Sequence, residues 1–220
     1  MWSKAIWSML GIGILETLYM TLVSTAAAYL IGVPLGVFLV TSEPDGIRPA
    51  PGCNQTLNLI INILRSVPFL ILLILVMPIT RVITGTTIGA TATIVPLVIA
   101  AFPFVARLVE SSLKEVDPGM IEAALSMGAS PYSIISKVMI PEAAPSLIVG
   151  CAIATTTIMG YSAMAGIVAG GGLGTIAINY GYYRYQTDIM LLTVALLVVI
   201  VQVLQELGTR LALRQDKRKQ

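Results

Sequence analysis

Long apolar runs separated by short polar intervals dominate the chain. The runs cover residues 11–40, 57–79, 88–113, 143–168 and 189–207, with Glu16 the one acidic interruption of the first. A helix needs about 20 mostly apolar residues to cross a bilayer. The pattern therefore predicts an all-α integral membrane protein of about five transmembrane helices, forming one domain over residues 1–220. The first run exceeds a minimal span, and Gly32-Val33-Pro34-Leu35-Gly36 is the expected bend. Pro68 and Pro78 predict irregular backbone in the second run; Pro96 and Pro103 lie in the third. The fourth is rich in Ala, Gly and Thr, which suits close helix packing or the lining of a path better than a lipid-facing surface. Trp2 and Trp7, ahead of the first run, suit a membrane interface.

Composition agrees. Only 11% of residues are charged, where a soluble domain has about 25%, and the mean hydropathy is +0.90. A formal net charge of +2, without basic residues striped by aromatics, gives no nucleic-acid signature. No His is present, which removes the commonest acid–base catalyst and metal ligand. Cys53 and Cys151 lack metal or disulfide-framework spacing. No catalytic residue and no metal site are predicted. Ala26-Ala27-Ala28 imitates a signal-peptide cleavage site, but the apolar stretch continues past it and only Lys4 precedes it. An uncleaved span is the preferred reading.

Five spans put the termini on opposite sides. With the C-terminus inside, Arg48, Lys114, Lys137, Arg210, Arg214, Lys217, Arg218 and Lys219 are cytoplasmic. Lys4, Arg81 and Arg184 are then outside, with Arg65 and Arg107 inside spans. The positive-inside rule selects this orientation. Arg107 and Glu110, three residues apart, are placed to pair on one helix face. Interfacial anchoring is favoured for both span arginines over a direct role in transport, and for Glu16 over a buried functional charge.

The interval from Asp117 to Pro141, DPGMIEAALSMGASPYSIISKVMIP, reads as two short helices and a turn. Asp117 caps the first with Pro118 at its first position, and Gly128 ends it in the left-handed conformation. Ser130 and Pro131 repeat that start, and Pro141 is expected to stop the second helix. Ile121, Ala124, Leu125 and Gly128 share one flank, with Glu122 and Ser126 on another; Ala123 and Ala124 keep part of the surface thin.

Glu122-Ala123-Ala124, Gly128 and the closing Pro141 resemble the cytoplasmic EAA loop of importer-type ABC permeases. The usual Ile-x-Leu-Pro ending is Val138-Met139-Ile140-Pro141 here. NILRSVPFLILLILVMPITRVITGTTIGATATIVPL and GYSAMAGIVAGGGLGTIAINYGYYRY extend the resemblance over nearly the whole chain, to the permeases of methionine importers (MetI type). That resemblance implies a type I ABC importer permease fold with a cytoplasmic coupling helix, in a bacterial inner membrane. It implies a homodimer, two ATP-binding subunits of the MetN type carrying ATP and Mg, and an external or lipid-anchored methionine-binding protein of the MetQ type. Methionine, in the L form and with the D form as a further candidate, is the implied substrate. Glu122, Ala123, Ala124, Gly128 and Pro141 are the implied coupling residues. ATP binding on the partners is expected to move the coupling helices as levers and switch the path from inward-open to outward-open.

Gly172-Leu173-Gly174-Thr175-Ile176-Ala177 fits a weak dinucleotide pattern but lacks a surrounding βαβ unit and a following acidic residue. The chain has no Gly-Lys dipeptide, hence no Walker A loop, and no cofactor of its own is expected. Gly32/Gly36, Gly85/Gly89, Gly166/Gly170 and Gly170/Gly174 have GxxxG spacing, mostly for internal packing, with one a candidate for contact between copies. Tyr161, Ser162 and Met164 are candidate path residues, since a thioether substrate suits adaptable, modestly polar walls; ordinary packing is the competing role of Met164. A permease for another amino acid or small solute is the alternative within the class. A secondary transporter or channel, needing no ATPase, is the alternative outside it.

Overall fold

The computed structural model describes residues 4–215. Every regular element among them is helical: α1 (Lys4–Thr41), α2 (Pro51–Ser66), α3 (Phe69–Thr84), α4 (Ala90–Lys114), α5 (Pro118–Ser126), α6 (Pro131–Ile134), α7 (Ile140–Met164), α8 (Gly172–Ile176) and α9 (Thr187–Gln215). Two π-helical turns, Ile135–Met139 and Ala177–Tyr182, and a 3-10 turn, Ala165–Val168, complete the order. Four stretches are long and apolar enough to cross a membrane, and α2 with α3 pass together as a pair bent at their break, giving up to five. Trp2 and the tail basic residues Lys217, Arg218 and Lys219 lie outside the described residues.

Two boundaries differ from the sequence reading. The bend expected at Pro34 does not interrupt α1, which is helical from Lys4 to Thr41. Neighbouring helices resupply the contacts a proline removes, so prolines persist inside membrane helices; Pro78 in α3 and Pro145 in α7 do the same. The stretch expected as one span over 57–79 is instead α2 and α3, parted at Val67 and Pro68. A residue before proline is pushed out of the helical region, and Pro68 is itself extended, with ψ 136°. Gly85, at φ +76°, ends α3 and donates its N–H to the Arg81 carbonyl.

The described chain divides into two compact units. The first comprises the chain through Ala27, Val67–Ala101 and Ala154–Gln205. Leu10, Leu173, Ile176 and Ile189 form its buried cluster, with Met9 and Tyr180 packed against them. Gly166 and Gly174 lie backbone to backbone, with no room for a Cβ on either. These two members of the Gly166/Gly170 and Gly170/Gly174 pairs therefore serve packing inside the chain.

The second unit comprises Ala28–Ser66, Phe102–Ile153 and the chain from Glu206. Leu39, Ile61 and Ala106 form its buried cluster, flanked by Leu35 and Leu57. Gly32 and Gly36 let α1 close on α4. A Cβ at Gly36 would stand 2.7 Å from the Ala106 carbonyl oxygen and 2.6 Å from Val109 Cβ. Buried Asn54 ties α2 to the end of α1, donating to the Leu39 carbonyl at 2.7 Å and to Ser42 Oγ at 2.9 Å. Gly36→Val should cost about 1–3 kcal/mol through overpacking, read as a lower thermal unfolding midpoint in detergent, whereas Gly52→Ala, which meets nothing within 4 Å, should leave the midpoint unchanged.

Candidate coupling element and transport path

Residues 117–141 build their own rigidity. Asp117 Oδ1 accepts from Gly119 N–H at 2.8 Å, and Pro118 follows it. At the other end Gly128, φ +77°, donates to the Leu125 carbonyl at 2.9 Å, and Ala129 donates to the Ala124 carbonyl at 3.1 Å. This pair of bonds is a Schellman stop, which satisfies carbonyls that the helix cannot. Ser130 then caps α6, accepting from Ser133 N–H at 3.3 Å, with Pro131 at the first helical position. Both caps and the left-handed glycine stand where the sequence placed them.

The expected stop at Pro141 is not observed. Helix continues from α6 through the π turn Ile135–Met139 into α7, and Pro141 is the second residue of α7. Proline in a helix removes an N–H and crowds the carbonyl four residues back. The π turn absorbs this: Ile140 N–H reaches the Ile135 carbonyl, five residues away, so the ladder is already displaced ahead of the ring. Pro141 thus joins the segment to the span.

The faces of α5 also differ from the flanks read in the sequence. Ala124 is 4% exposed and packs inside its own unit, while Glu122, Ala123, Ser126 and Gly128 are exposed. Met127 is 81% and Tyr132 79% exposed, giving this turn two large, largely uncovered apolar groups. A half-open cavity of about 390 Å³ lies beside α5, lined by Thr41, Glu43, Lys114, Pro118, Ile121 and Glu122 among others.

A chain of alternating charges runs beside this cavity. Arg107 Nη1 meets Glu110 Oε2 at 2.6 Å, the pairing expected from their spacing. Glu110 Oε1 accepts from Lys114 Nζ at 2.9 Å, and the same ammonium meets Glu43 Oε1 at 2.6 Å. Arg107 Nη2 donates to Asn62 Oδ1 at 2.8 Å. The series joins α2, the end of α4 and the loop after α1. The Arg107–Glu110 and Glu110–Lys114 links are local to α4, at i,i+3 and i,i+4 spacing; Glu43 and Asn62 have no periodic relation to them.

The candidate path residues of α7 do not converge. Tyr161 stacks on Phe69, with ring centroids 4.6 Å apart and planes 7° from parallel. Ser162 is buried and its hydroxyl donates to the Met159 carbonyl at 2.8 Å, so it is turned into its own helix. Met164 is exposed. Glu16 is no solvated anchor alone: its Oε2 accepts from Gly172 N–H at 2.6 Å, across 156 residues of sequence. The weak dinucleotide pattern falls on the short α8 and the π turn after it, with no strand among the described residues.

Long apolar helices, with a capped element between two of them, make this chain a multi-span membrane protein, and its likeness to known proteins gives it the permease fold of a type I ABC importer. The family of binding-protein-dependent transport system inner membrane components matches residues 32–218, and the chain belongs to it. It is 50% identical over 203 residues to the probable D-methionine transport system permease protein MetI of Vibrio cholerae, covering 92% of this chain and 90% of that one. It is 46% identical to the corresponding Pasteurella multocida protein, over 97% and 98% of the two chains. Inward-facing structures of the MetNI methionine ABC transporter contain a chain of 44% identity that superposes with a TM-score of 0.97, over 98% of this chain and 100% of that one.

The charge series yields a contrast. Glu110→Leu leaves Arg107, whose side chain is 20% exposed, with its bond to Asn62, and should cost about 1–3 kcal/mol, as losing a charge-assisted hydrogen bond at a half-buried site does. Lys114→Met acts at a side chain that is 46% exposed and should cost under about 1 kcal/mol. Thermal unfolding of the two purified variants in one detergent measures the difference.

Proposed function

We propose that this chain is the permease subunit of an ATP-driven importer of methionine, L or D, working as a homodimer with two ATP-binding subunits and an external binding protein. The observation that carries this reading is 44% identity to the permease chain of a methionine ABC transporter along almost its entire length, together with two relatives named for D-methionine transport. The chain hydrolyses nothing itself; ATP and Mg belong to the partner subunits. The excess of Lys and Arg on one set of loops supports an outside N-terminus and a cytoplasmic C-terminus, which puts α5 and α6 on the side where ATP is found.

Coupling then divides between the two faces of α5. Glu122, Ala123 and Gly128, with exposed Met127 beside them, form the surface offered to the ATP-binding partner. Ala124 supports the helix from within, and Pro141 joins the element to α7. Exposed apolar side chains on a polar, water-facing turn are a common mark of a protein–protein contact. ATP binding draws the partners together, α5 is carried with them as a stiff body, and α7 follows through the continuous helix. The path is assigned to the Tyr161–Met164 stretch of α7, with Met164 its exposed member; Ser162 reaches it only if α7 rotates.

Two alanine substitutions separate docking from support. Ala123→Trp should leave the permease folded but lower ATP-dependent methionine uptake at least roughly tenfold, through lost assembly with the ATP-binding subunit. Ala124→Trp should instead lower the yield of folded permease, since no space exists for the ring. Reconstituted vesicles containing permease, ATP-binding subunit and binding protein supply the uptake measurement. Methionine accumulation without the ATP-binding subunit would refute the reading.

A further inference from the structure

The span that begins at α6 breaks between Met164 and Gly172, and side chains from two other helices grip the break. From α1, Glu16 Oε2 accepts the Gly172 N–H at 2.6 Å and Thr17 Oγ1 accepts the Leu173 N–H at 2.9 Å. Thr17 is fixed in turn by donating to the Gly13 carbonyl at 2.8 Å. At the start of α4, Gly89 N–H donates to the Ala169 carbonyl at 3.0 Å, and Thr93 Oγ1 lies 3.0 Å from the Gly170 carbonyl oxygen. Ala169, Gly172 and Leu173 thus each have a backbone group bonded by α1 or by the residue just ahead of α4, and the Gly170 carbonyl shares the Thr93 hydroxyl with the Gly89 carbonyl. Gly171 donates its N–H to Thr175 Oγ1 at 2.8 Å.

We propose that Glu16 and Thr17 are positioning residues for transport: they clamp this break into a fixed joint, so that movement of α7 passes into α8 and the turn after it rather than being absorbed between them. The proposal rests on the reading of the chain as an ATP-coupled permease. A glycine-rich break would otherwise be the softest point of the span. Here the backbone is committed to unusual conformations. Gly171 and Gly172 have φ +89° and +70°, and Ala169, which has a Cβ, is held at φ +56°. A non-glycine residue stays in that region only where its surroundings fix it. A Cβ on Gly172 would stand 2.6 Å from Thr17 Oγ1, so the close approach and the glycine require one another.

Two adjacent N–H groups that open a helix have no partner within it, and here each is met by a side chain of α1. Glu16 and Thr17, consecutive in sequence, meet one each. A carboxylate accepts more strongly than a neutral group. The expense of placing it within a span is limited by an open notch of about 340 Å³, lined by Ser8, Gly13, Glu16, Gly171 and Thr175 among others. Glu16 therefore caps α8 from a place where its charge is not sealed in lipid.

The test uses the complete complex in vesicles and reads methionine imported per ATP hydrolysed. Glu16→Leu and Thr17→Val should each lower that ratio roughly tenfold, with ATP hydrolysis held within about twofold of the unaltered complex. Glu16→Gln keeps an acceptor oxygen and should restore most of the ratio. An unchanged ratio in the Leu and Val variants overturns the proposal. So does a loss of uptake and hydrolysis in step with the amount of assembled complex, measured by size exclusion and thermal unfolding, because a role in folding alone gives that result. If the unaltered complex hydrolyses ATP but carries another solute, the methionine reading fails, and the ratio is then measured with that solute.

Discussion

A backbone amide in the hydrocarbon of a bilayer has only protein to bond with. At three places where the helical ladder of this chain ends or shifts, identifiable groups take up the backbone bonds. At the end of α3, Gly85 turns its N–H back to Arg81. Ahead of Pro141 a π turn moves the ladder by one residue. Between α7 and α8, where a stop would expose several groups together, α1 and α4 supply Glu16, Thr17, Gly89 and Thr93. Irregular backbone is thereby kept without becoming loose backbone.

The same accounting outside the spans explains why residues 117–141 form a stiff element instead of a loop. Asp117, Ser130 and the Gly128 stop satisfy both helix ends from within the segment. Such an element draws its caps from its own residues rather than from a partner. Its outer side can then carry Met127 and Tyr132 into contact while Ala124 holds the inner side. The charge series from Asn62 to Glu43 ties the end of α4 to α2 and to the loop after α1.

Local features were legible in the sequence. Apolar runs marked the spans, because their signal is summed over about 20 residues. Asp117, Gly128 and Ser130 marked the caps, because capping acts within four positions of itself. The Arg107–Glu110 pair followed from helical spacing. Features decided by distant contacts were hidden. Glu16 looked like an isolated anchor because its partner is 156 residues away. Ala124 looked available because its burial depends on packing that no periodicity describes. The turn of the Ser162 hydroxyl back to the Met159 carbonyl is a rotamer choice that residue type alone does not show. Pro141 misled for another reason: a π turn has no strong residue signature, so nothing announced the helix that continues through it.

The central claim is that the turn carrying Met127 faces the cytoplasm and is covered there by an ATP-binding partner. A single cysteine at position 127, in a background without Cys53 and Cys151, measures this with a membrane-impermeant maleimide. The account predicts no labelling in intact cells. It predicts ready labelling in inside-out vesicles from cells lacking the ATP-binding subunit, and protection in vesicles that contain it. Labelling from outside intact cells, or equal labelling with and without that subunit, would contradict it.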